Sequence, residues 1–468
     1  MKTRTDANGA VTTYDYDSLQ RLVKVTAPDL GETVYGYDLG GARNYTKDAG
    51  GAEAWYTFDY KGRVKTVTDS LGHVTTYAYG GSGCPTCGGG GDNLVSVTDP
   101  LGHVVRYEYD TLGRRTKETD ALGKSTTYTY DDNGGVSTRT DALNRVTGYG
   151  YDELSRQTGV VDAAGGTVNT GYDADGRVAS VTDPLNHTTS YQYDLAGRRT
   201  RTVSPDTGTT VYTYNVDGSL HTKTDAKNVT ATYVYDTAGR VTGITFPDSA
   251  DNVTYEYGSS SADAGDRGRL VRMTDATGAT VYHYDVMGRV ISEVETVLGV
   301  AYTTSYEYYV AGGLKAVVYP DGKRIGYTYD VLRRPTGVSV DGVTRAGWFV
   351  YDDASRQTSM TLNNGAVEGW EYNAANRVTA ITVPGVMGLG YTYDDVGNIT
   401  AITNTLNAAS NKTYSYDAVD RLKGAEGPWG RMSWTYDANG NRLKQSNLTG
   451  LTYNVGTPAP GTINPAIK

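Results

Sequence analysis

The sequence predicts an all-β protein built from one short module that is repeated about twenty times. Three observations predict this fold class. An aromatic doublet of the form Tyr-x-Tyr-Asp recurs about every 21 residues along the chain. Aromatic and small hydroxyl side chains alternate before each doublet, which is the period-two pattern of a strand. Turns of the form Asp-x-x-Gly follow 10 or 11 residues apart, a spacing typical of an antiparallel meander.

Residues 107–131 illustrate the module. Tyr128 and Tyr130 share one face of a predicted strand, and threonines occupy the other face. The strands end at two turns, Asp110 to Gly113 and Asp120 to Gly123. An aspartate side chain accepts hydrogen bonds from turn amides, and glycine adopts the positive φ that a tight hairpin requires. Each module therefore predicts two strands and two turns.

The second strand of each module is less regular than the first. In residues 177–182, Val178 and Val181 are three positions apart, which places them on opposite faces of a regular strand. Two interpretations remain open from the sequence. Either a β-bulge intervenes, or both faces of the ribbon are half-buried.

The number of strands predicts a coiled ribbon. Twenty modules give about 40 strands, which at roughly 4.8 Å per strand extend about 190 Å. Open sheets rarely exceed about ten strands, so we expect the ribbon to coil and to enclose space. We expect one repeat array over residues 1–451, with a Gly-rich insertion at residues 80–93 and a flexible Pro/Gly-rich tail at residues 452–468.

The composition excludes several classes of partner. The net charge of −10 argues against binding to nucleic acid or to an anionic membrane. The sequence contains no apolar run that could span a membrane, and Met1 is not followed by the apolar core of a signal peptide. The 41 tyrosines predict that Tyr, together with Val and Thr, holds the chain together in sheets, instead of a Leu-rich helical core.

The units YEYDTLGRR, YQYDLAGRRTRT and YVYDTAGRVTGIT resemble the YD repeats of the rearrangement hotspot (Rhs) family, and the resemblance covers residues 3 to about 445. Related repeats occur in teneurins and in the C components of bacterial toxin complexes. The resemblance implies a ribbon coiled into a partial hollow shell that encapsulates or displays a secreted toxin or effector. It also implies a non-enzymatic scaffold without cofactors, located outside the cell or at the cell surface.

The chain departs from the family pattern in two ways. The core motif DPxGxxxGxNxYxYxxNP is not found, and the repeats after Asp285 replace Gly-Arg with pairs such as Leu332-Arg333 and Ser355-Arg356. We therefore expect either a segment of a longer polypeptide or the product of a degraded gene, with the toxin or the remaining shell segments as partners outside this chain. Open strand edges predict self-association. The alternative function is a cell-surface adhesion or glycan-binding module.

The Gly-rich insertion carries the first candidate site, Cys84 and Cys87. A Cys-x-x-Cys pair can form half of a zinc site or a redox centre. His73 and His103 flank the insertion, but His73 begins a strand that ends six residues later at Tyr79, about 20 Å away. We therefore expect a local disulfide or inert thiols, and we keep a metal site and a redox centre as alternatives.

The remaining candidate residues are explained by the repeat. His73, His103 and His187 follow equivalent turns, where other units have Lys or Arg, so we interpret them as solvated turn residues. The repeated aspartates fit turns better than a calcium loop or an acid catalyst. The sequence predicts no catalytic residue, no metal ligand and no cofactor site. Trp429 lies at a turn tip and is the best candidate for an exposed contact.

Replacement of Cys84 and Cys87 by Ser tests the interpretation of the insertion. We expect the thermal midpoint to stay nearly unchanged, because a local crosslink in a surface loop constrains the unfolded chain little. Purified protein should contain no stoichiometric zinc by elemental analysis. A loss of several degrees on chelation would favour a structural metal site.

Overall fold

The computed structural model describes residues 1–6, 9–80, 92–259, 265–447 and 452–454. Within these residues the protein is all-β, with 42 strands in one sheet. The helical elements of the described part are two single 3₁₀ turns, Ser249–Asp251 and Ala408–Ser410. The predicted all-β fold class is confirmed.

The first 21 strands are β1 (Lys2–Thr5), β2 (Val11–Tyr16), β3 (Leu22–Thr26), β4 (Glu32–Tyr37), β5 (Arg43–Lys47), β6 (Glu53–Phe58), β7 (Val64–Asp69), β8 (Val74–Gly80), β9 (Asn93–Thr98), β10 (Val104–Tyr109), β11 (Arg115–Thr119), β12 (Ser125–Tyr130), β13 (Val136–Thr140), β14 (Val146–Tyr151), β15 (Gln157–Val161), β16 (Thr167–Tyr172), β17 (Val178–Thr182), β18 (Thr188–Tyr193), β19 (Arg199–Ser204), β20 (Gly208–Tyr214) and β21 (Leu220–Thr224). The remaining strands are β22 (Thr230–Tyr235), β23 (Val241–Thr245), β24 (Val253–Tyr257), β25 (Leu270–Asp275), β26 (Gly278–Tyr284), β27 (Val290–Val297), β28 (Val300–Tyr308), β29 (Leu314–Val318), β30 (Arg324–Tyr329), β31 (Pro335–Val340), β32 (Val343–Tyr351), β33 (Gln357–Leu362), β34 (Val367–Tyr372), β35 (Val378–Val383), β36 (Met387–Tyr393), β37 (Ile399–Asn404), β38 (Lys412–Tyr416), β39 (Leu422–Gly427), β40 (Gly430–Tyr436), β41 (Arg442–Asn447) and β42 (Thr452–Asn454).

The described residues divide into two compact units. The first unit comprises Met1–Ala78, Val97–Gly102 and Thr232–Gly369, and the second comprises Tyr79–Ser96, His103–Ala231 and Trp370–Lys468. Each unit thus contains a stretch from early in the chain and a stretch from late in the chain. The predicted boundary at Leu451 stays a prediction, because residues 448–451 and 455–468 lie outside the described part.

Strands pair in chain order. For example, β11 pairs antiparallel with β10 on one side and with β12 on the other. The sheet is therefore a continuous meander of hairpins and is not closed into a barrel. Because each strand is paired by its neighbours in the sequence, successive turns alternate between the two long edges of the ribbon.

The predicted turn chemistry is confirmed. Asp110 Oδ1 accepts hydrogen bonds from the backbone N–H groups of Leu112 and Arg114 at 3.0 and 2.9 Å. Gly113 has a φ of +78°. Where glycine is replaced, Ser355 keeps the same left-handed conformation with a φ of +63°. The late repeats therefore replace the glycine of the turn but keep its left-handed geometry.

The second strand contains a β-bulge, one of the two alternatives that the sequence left open, and its residues on both faces are half-buried, which is the other. Tyr172 lies opposite Val178, and Thr170 lies opposite Val181, so Ala179 is the extra residue. Because Tyr172 and Thr170 are two positions apart on one face, both valines also lie on that face. The equivalent register shift accompanies the second aromatic residue of the doublet at Tyr16, Tyr37, Phe58, Tyr109, Tyr130, Tyr151, Tyr193, Tyr214, Tyr235, Tyr257, Tyr284, Tyr308, Tyr329, Tyr351, Tyr393, Tyr416 and Tyr436.

The bulge provides an acceptor for the next module. The Tyr193 hydroxyl donates a hydrogen bond of 2.8 Å to the backbone carbonyl of Val178, the first residue of the bulge before it. The same bond is made by Tyr37, Tyr109, Tyr130, Tyr151, Tyr172, Tyr214, Tyr257, Tyr284, Tyr308, Tyr329, Tyr351, Tyr393, Tyr416 and Tyr436. Each tyrosine hydroxyl thus fastens its module to the preceding one.

Full burial is rare in this ribbon. Among the described residues, the apolar side chains below one tenth exposure are Ala231, Ala316, Val317 and Ala425. Most strand residues are half-buried, because a sheet of this kind has few opposing layers to cover it. Stability therefore depends on backbone pairing, tyrosine hydroxyls and half-buried rings more than on a thick apolar core.

Replacing Tyr193 with Phe tests the tyrosine fastening. The substitution leaves the Val178 carbonyl without this donor, and we expect the free energy of unfolding to fall by about 1–3 kcal/mol. Urea unfolding followed by fluorescence measures the change. Tyr60 is 91% exposed, so the same substitution there is the matched control and should leave unfolding unchanged. Equal effects at both positions would contradict the assigned role.

Candidate functional site

A cluster of one aspartate, one arginine and one tyrosine recurs at the turns, and we call it the Asp–Arg–Tyr cluster. In one example, Arg156 Nε donates to Asp152 Oδ2 at 2.7 Å. The Arg156 guanidinium carbon lies 4.5 Å from the centroid of the Tyr172 ring, which is a cation–π contact. The Tyr172 hydroxyl in turn donates to the carbonyl of Gln157. The cluster joins one turn to the next module.

The electrostatics of the cluster keep the carboxylate charged. The hydrogen bond from the Arg156 guanidinium, reinforced by backbone N–H donors, lowers the pKa of Asp152 below its ordinary value. A general acid needs a raised pKa, so this aspartate is suited to holding a turn and unsuited to proton donation at neutral pH. The arginine-over-tyrosine contact recurs at Arg21/Tyr37, Arg114/Tyr130, Arg177/Tyr193, Arg198/Tyr214, Arg240/Tyr257, Arg289/Tyr308, Arg334/Tyr351 and Arg421/Tyr436.

In the second unit, two passes of the ribbon lie side by side. We call residues 103–231 its early pass and residues 370–447 its late pass. Lys124 Nζ contacts Asp395 Oδ1 at 2.7 Å, and Arg145 contacts both oxygens of Asp420 at 2.7 and 3.1 Å. These residues are about 270 positions apart in the sequence, so the ribbon returns to its own edge within this unit. We call this boundary between the passes the seam.

The seam pairs two different edges. The YD edge carries the turns that follow the Tyr-x-Tyr doublets, and the TD edge carries the alternate turns, many of which begin with Thr-Asp. Lys124 and Arg145 lie on the TD edge of the early pass, whereas Asp395 and Asp420 lie on the YD edge of the late pass. The seam is thus a contact between unlike edges, with cations on the TD side and carboxylates on the YD side.

The first unit contains a seam that also joins unlike edges, but its Arg333–Asp48 pair has the cation on the YD edge and the carboxylate on the TD edge. Its early pass contributes Asp48 and His73, and its late pass contributes Arg333 and Asp353. Arg333 contacts Asp48 at 2.7 Å. His73 Nδ1 lies 2.8 Å from Asp69 Oδ2, and His73 Nε2 lies 3.5 Å from Asp353 Oδ1. The interpretation of His73 as a solvated turn residue was wrong, because the late pass covers its turn and leaves its side chain 16% exposed.

The remaining site candidates from the sequence are Cys84, Cys87 and Trp429. Cys84 and Cys87 lie outside the described residues, so the disulfide, metal and redox alternatives stay predictions. No group of three His, Cys, Asp or Glu side chains in the described part could hold a metal ion. Trp429 is 48% exposed, and Lys412 Nζ lies 5.7 Å from its ring centroid. Its role as a contact stays a prediction.

Trp348 is a candidate contact that the sequence reasoning missed. Its side chain is 75% exposed, and its backbone has a φ of +46°, which is an outlier for a bulky residue. The register with the neighbouring strand is irregular between Gly347 and Val350. The signal available in the sequence was the pair Trp348-Phe349, because Phe349 already fills the first aromatic slot before Tyr351.

The fold and these clusters define a repeat scaffold, in which charged and aromatic side chains hold a β-ribbon to itself. The RHS Repeat family model matches residues 2–32, 91–125, 130–167, 172–210, 266–301 and 351–385. These six segments are RHS repeats, as the YD repeats predicted. No curated protein sequence matches it. No helix among the described residues is long and apolar enough to cross a membrane.

Similar folds occur in solved structures of a bacterial toxin complex. The chain is 16% identical to a chain of TcdB2-TccC3 without its hypervariable C-terminal region, with a TM-score of 0.73, over 98% of this chain and 34% of that one. For TcdB2-TccC3 the identity is 17% and the TM-score 0.70, over 97% and 32% of the two chains. For the Photorhabdus luminescens Tc holotoxin pore the identity is 16% and the TM-score 0.70, over 96% and 34%. The chain thus spans about a third of the length of these relatives and shares their fold over that part.

Acid should weaken the seam. The Arg145 guanidinium hydrogen-bonds Asp420 and, against partial burial, holds the pKa of that carboxyl below its ordinary value. A carboxyl whose pKa is lower in the folded than in the unfolded state stabilises the fold fully above the unfolded pKa, which is about 3.9 for Asp. This stabilisation is lost as the pH falls from there through the folded-state pKa. We expect urea stability to change little from pH 7 to about 5 and to drop below about pH 4.

The substitution Asp420→Asn isolates this contribution. Because the pair is partly exposed, we expect a loss of up to about 1 kcal/mol at pH 7 and a shallower acid transition. Asp206→Asn, at an exposed turn in the same unit, is the control and should reproduce the native pH profile. If Asp420→Asn had the same pH profile of urea stability as the native chain, the Arg145–Asp420 pair would not be the cause of the acid transition.

Proposed function

We propose that the chain is a non-enzymatic YD-repeat scaffold and forms part of a shell that encapsulates or displays a secreted toxin or effector. The seam carries this proposal. A ribbon whose passes lie side by side, edge to edge, makes a continuous wall one sheet thick, which is the element a shell requires. The fold shared with TcdB2-TccC3 supports the same function.

The chemistry of the repeat also supports a structural role. Each Asp–Arg–Tyr cluster uses its carboxylate, guanidinium and hydroxyl to hold a turn or a bulge, as at Asp152, Arg156 and Tyr172. A carboxylate, guanidinium or hydroxyl that is hydrogen-bonded within the cluster positions the backbone. The proposed partners are a toxin or effector and the shell segments that complete the enclosure, and the proposed location is outside the cell or at its surface.

A cleft in the first unit favours the alternative, a cell-surface adhesion or glycan-binding module. The cleft has a volume of about 670 Å³ and is lined by Tyr302, Tyr319, Asp321 and Lys323. The two tyrosines are 46% and 47% exposed. Aromatic faces beside polar groups suit sugar rings. Glycan-array binding that is lost in the variant Tyr302→Ala/Tyr319→Ala would establish this alternative.

Small-angle scattering of the monomer tests the shell. A filled globule of 468 residues has an expected radius of gyration of about 23 Å, whereas the same mass arranged around a void is larger. We expect a radius above about 25 Å and a pair-distance distribution shifted to longer distances than that of a filled sphere. A radius near 23 Å with a filled-sphere profile would contradict the shell.

A matched pair of variants links the scattering result to the seam. Arg145→Gln removes the charged contact with Asp420, and we expect a further increase in the radius as the passes separate. Arg106→Gln, on an exposed strand position, should leave the radius unchanged. An increase in both variants would indicate general destabilisation instead of an opened wall.

A further inference from the structure

In the second unit, leucines at equivalent turn positions differ in exposure according to their edge. On the TD edge of the early pass, which forms the seam, Leu122 and Leu143 are 41% and 38% exposed. On the opposite YD edge, Leu112 and Leu154 at the same turn position are 77% and 73% exposed, and Leu195, one position earlier in its turn, is 107% exposed. These leucines occupy alternate turns of the same repeats. The YD edge of the early pass therefore presents a row of uncovered apolar side chains.

The late pass shows the converse arrangement. Its YD edge lies in the seam, where Val396 and Val419 are only partly exposed. Its TD edge faces away from the seam and carries Val386, Leu406 and Trp429, which are 76%, 55% and 48% exposed. Each pass thus has one covered edge and one uncovered edge. The uncovered edges are the YD edge of the early pass and the TD edge of the late pass. They are thus a YD edge and a TD edge, as are the two edges that meet in the seam.

The two uncovered edges carry some of the charges that pair across the seam of this unit. On the YD edge of the early pass, Asp132 and Glu153 occupy the turn position that Asp395 occupies in the seam, and both are exposed. Near the TD edge of the late pass lies Lys412, and Arg431 there is paired with Glu426 of the same edge at 2.9 Å. Carboxylates on the YD side and cations on the TD side are the arrangement already paired between Lys124 and Asp395.

We propose that the uncovered YD edge of the early pass docks on the uncovered TD edge of the late pass in a second copy of this chain. The contact repeats the chemistry of the seam between molecules. It joins two different surfaces, so it is heterologous, and copies add head to tail instead of closing as a two-fold dimer. The leucines at the turns supply the apolar contact, and the pairing of unlike edges follows the arrangement seen in both seams.

Sedimentation equilibrium over a hundredfold range of concentration tests the docking. The average mass of the native chain should rise steadily with concentration. In the variant Leu154→Ser/Leu195→Ser the association constant should fall at least tenfold, because the apolar tips are lost. Circular dichroism and the thermal midpoint should stay native, since these leucines make few contacts within the chain. The control Val211→Thr/Val234→Thr alters side chains that are 41% and 48% exposed on the strands, and it should associate like the native chain.

Crosslinking determines the polarity of the contact. In a chain with Cys84 and Cys87 replaced by Ser, one variant carries Leu195→Cys and another carries Val386→Cys. A flexible bis-maleimide should crosslink an equal mixture several-fold more than either variant alone. Crosslinking confined to the separate variants would show like edges in contact and overturn the proposal. A chain that remains monomeric at every concentration, or association that survives Leu154→Ser/Leu195→Ser, would also overturn it.

Discussion

The hydrogen bond from each doublet tyrosine to the carbonyl at the preceding bulge is the interaction on which the ribbon depends. A bulge interrupts the strand ladder and changes the pairing of the backbone at that point. The hydroxyl of Tyr193 reaches the Val178 carbonyl there, while Arg177 covers the ring and binds Asp173. One set of side chains therefore orders a turn, accommodates a bulge and links neighbouring modules. The period of about 21 residues is the distance over which this set must recur.

The seams add a second level of organisation to these local links. Within a module, the contacts lie close in sequence and would hold a free ribbon equally well. The pairs Lys124–Asp395 and Arg333–Asp48 act between passes, and they join unlike edges in both units. The TD edge supplies the cation in Lys124–Asp395 and the carboxylate in Arg333–Asp48, so the direction of the ribbon is defined by its two types of turn and not by a fixed sign of charge. A wall assembled from such passes inherits that direction, and so does any contact made by its uncovered edges.

The sequence predicted what is local and periodic. The spacing of the doublets and the Asp-x-x-Gly turns located the strands, the hairpins and the meander. It left the bulge at Ala179 open, because a valine spacing of three fits two arrangements. It misjudged His73, since the pass that covers this turn lies some 280 residues away in the chain. Trp348 broke the repeat in the sequence, but its left-handed backbone is set by an irregular register that composition does not reveal.

Because neighbouring strands of the sheet are also neighbours in the sequence, the chain can fold while it is being synthesised. Every strand of the meander finds its partner in the residues synthesised just before it, so the loops that must close are short. Folding can therefore advance from the amino terminus as a zipper, one hairpin at a time, while the ribosome is still translating the next module. Only the seams must wait, because their late pass is translated last. The growing ribbon is thus ordered long before its seams form, and formation of the seams is the slow, long-range step of biogenesis.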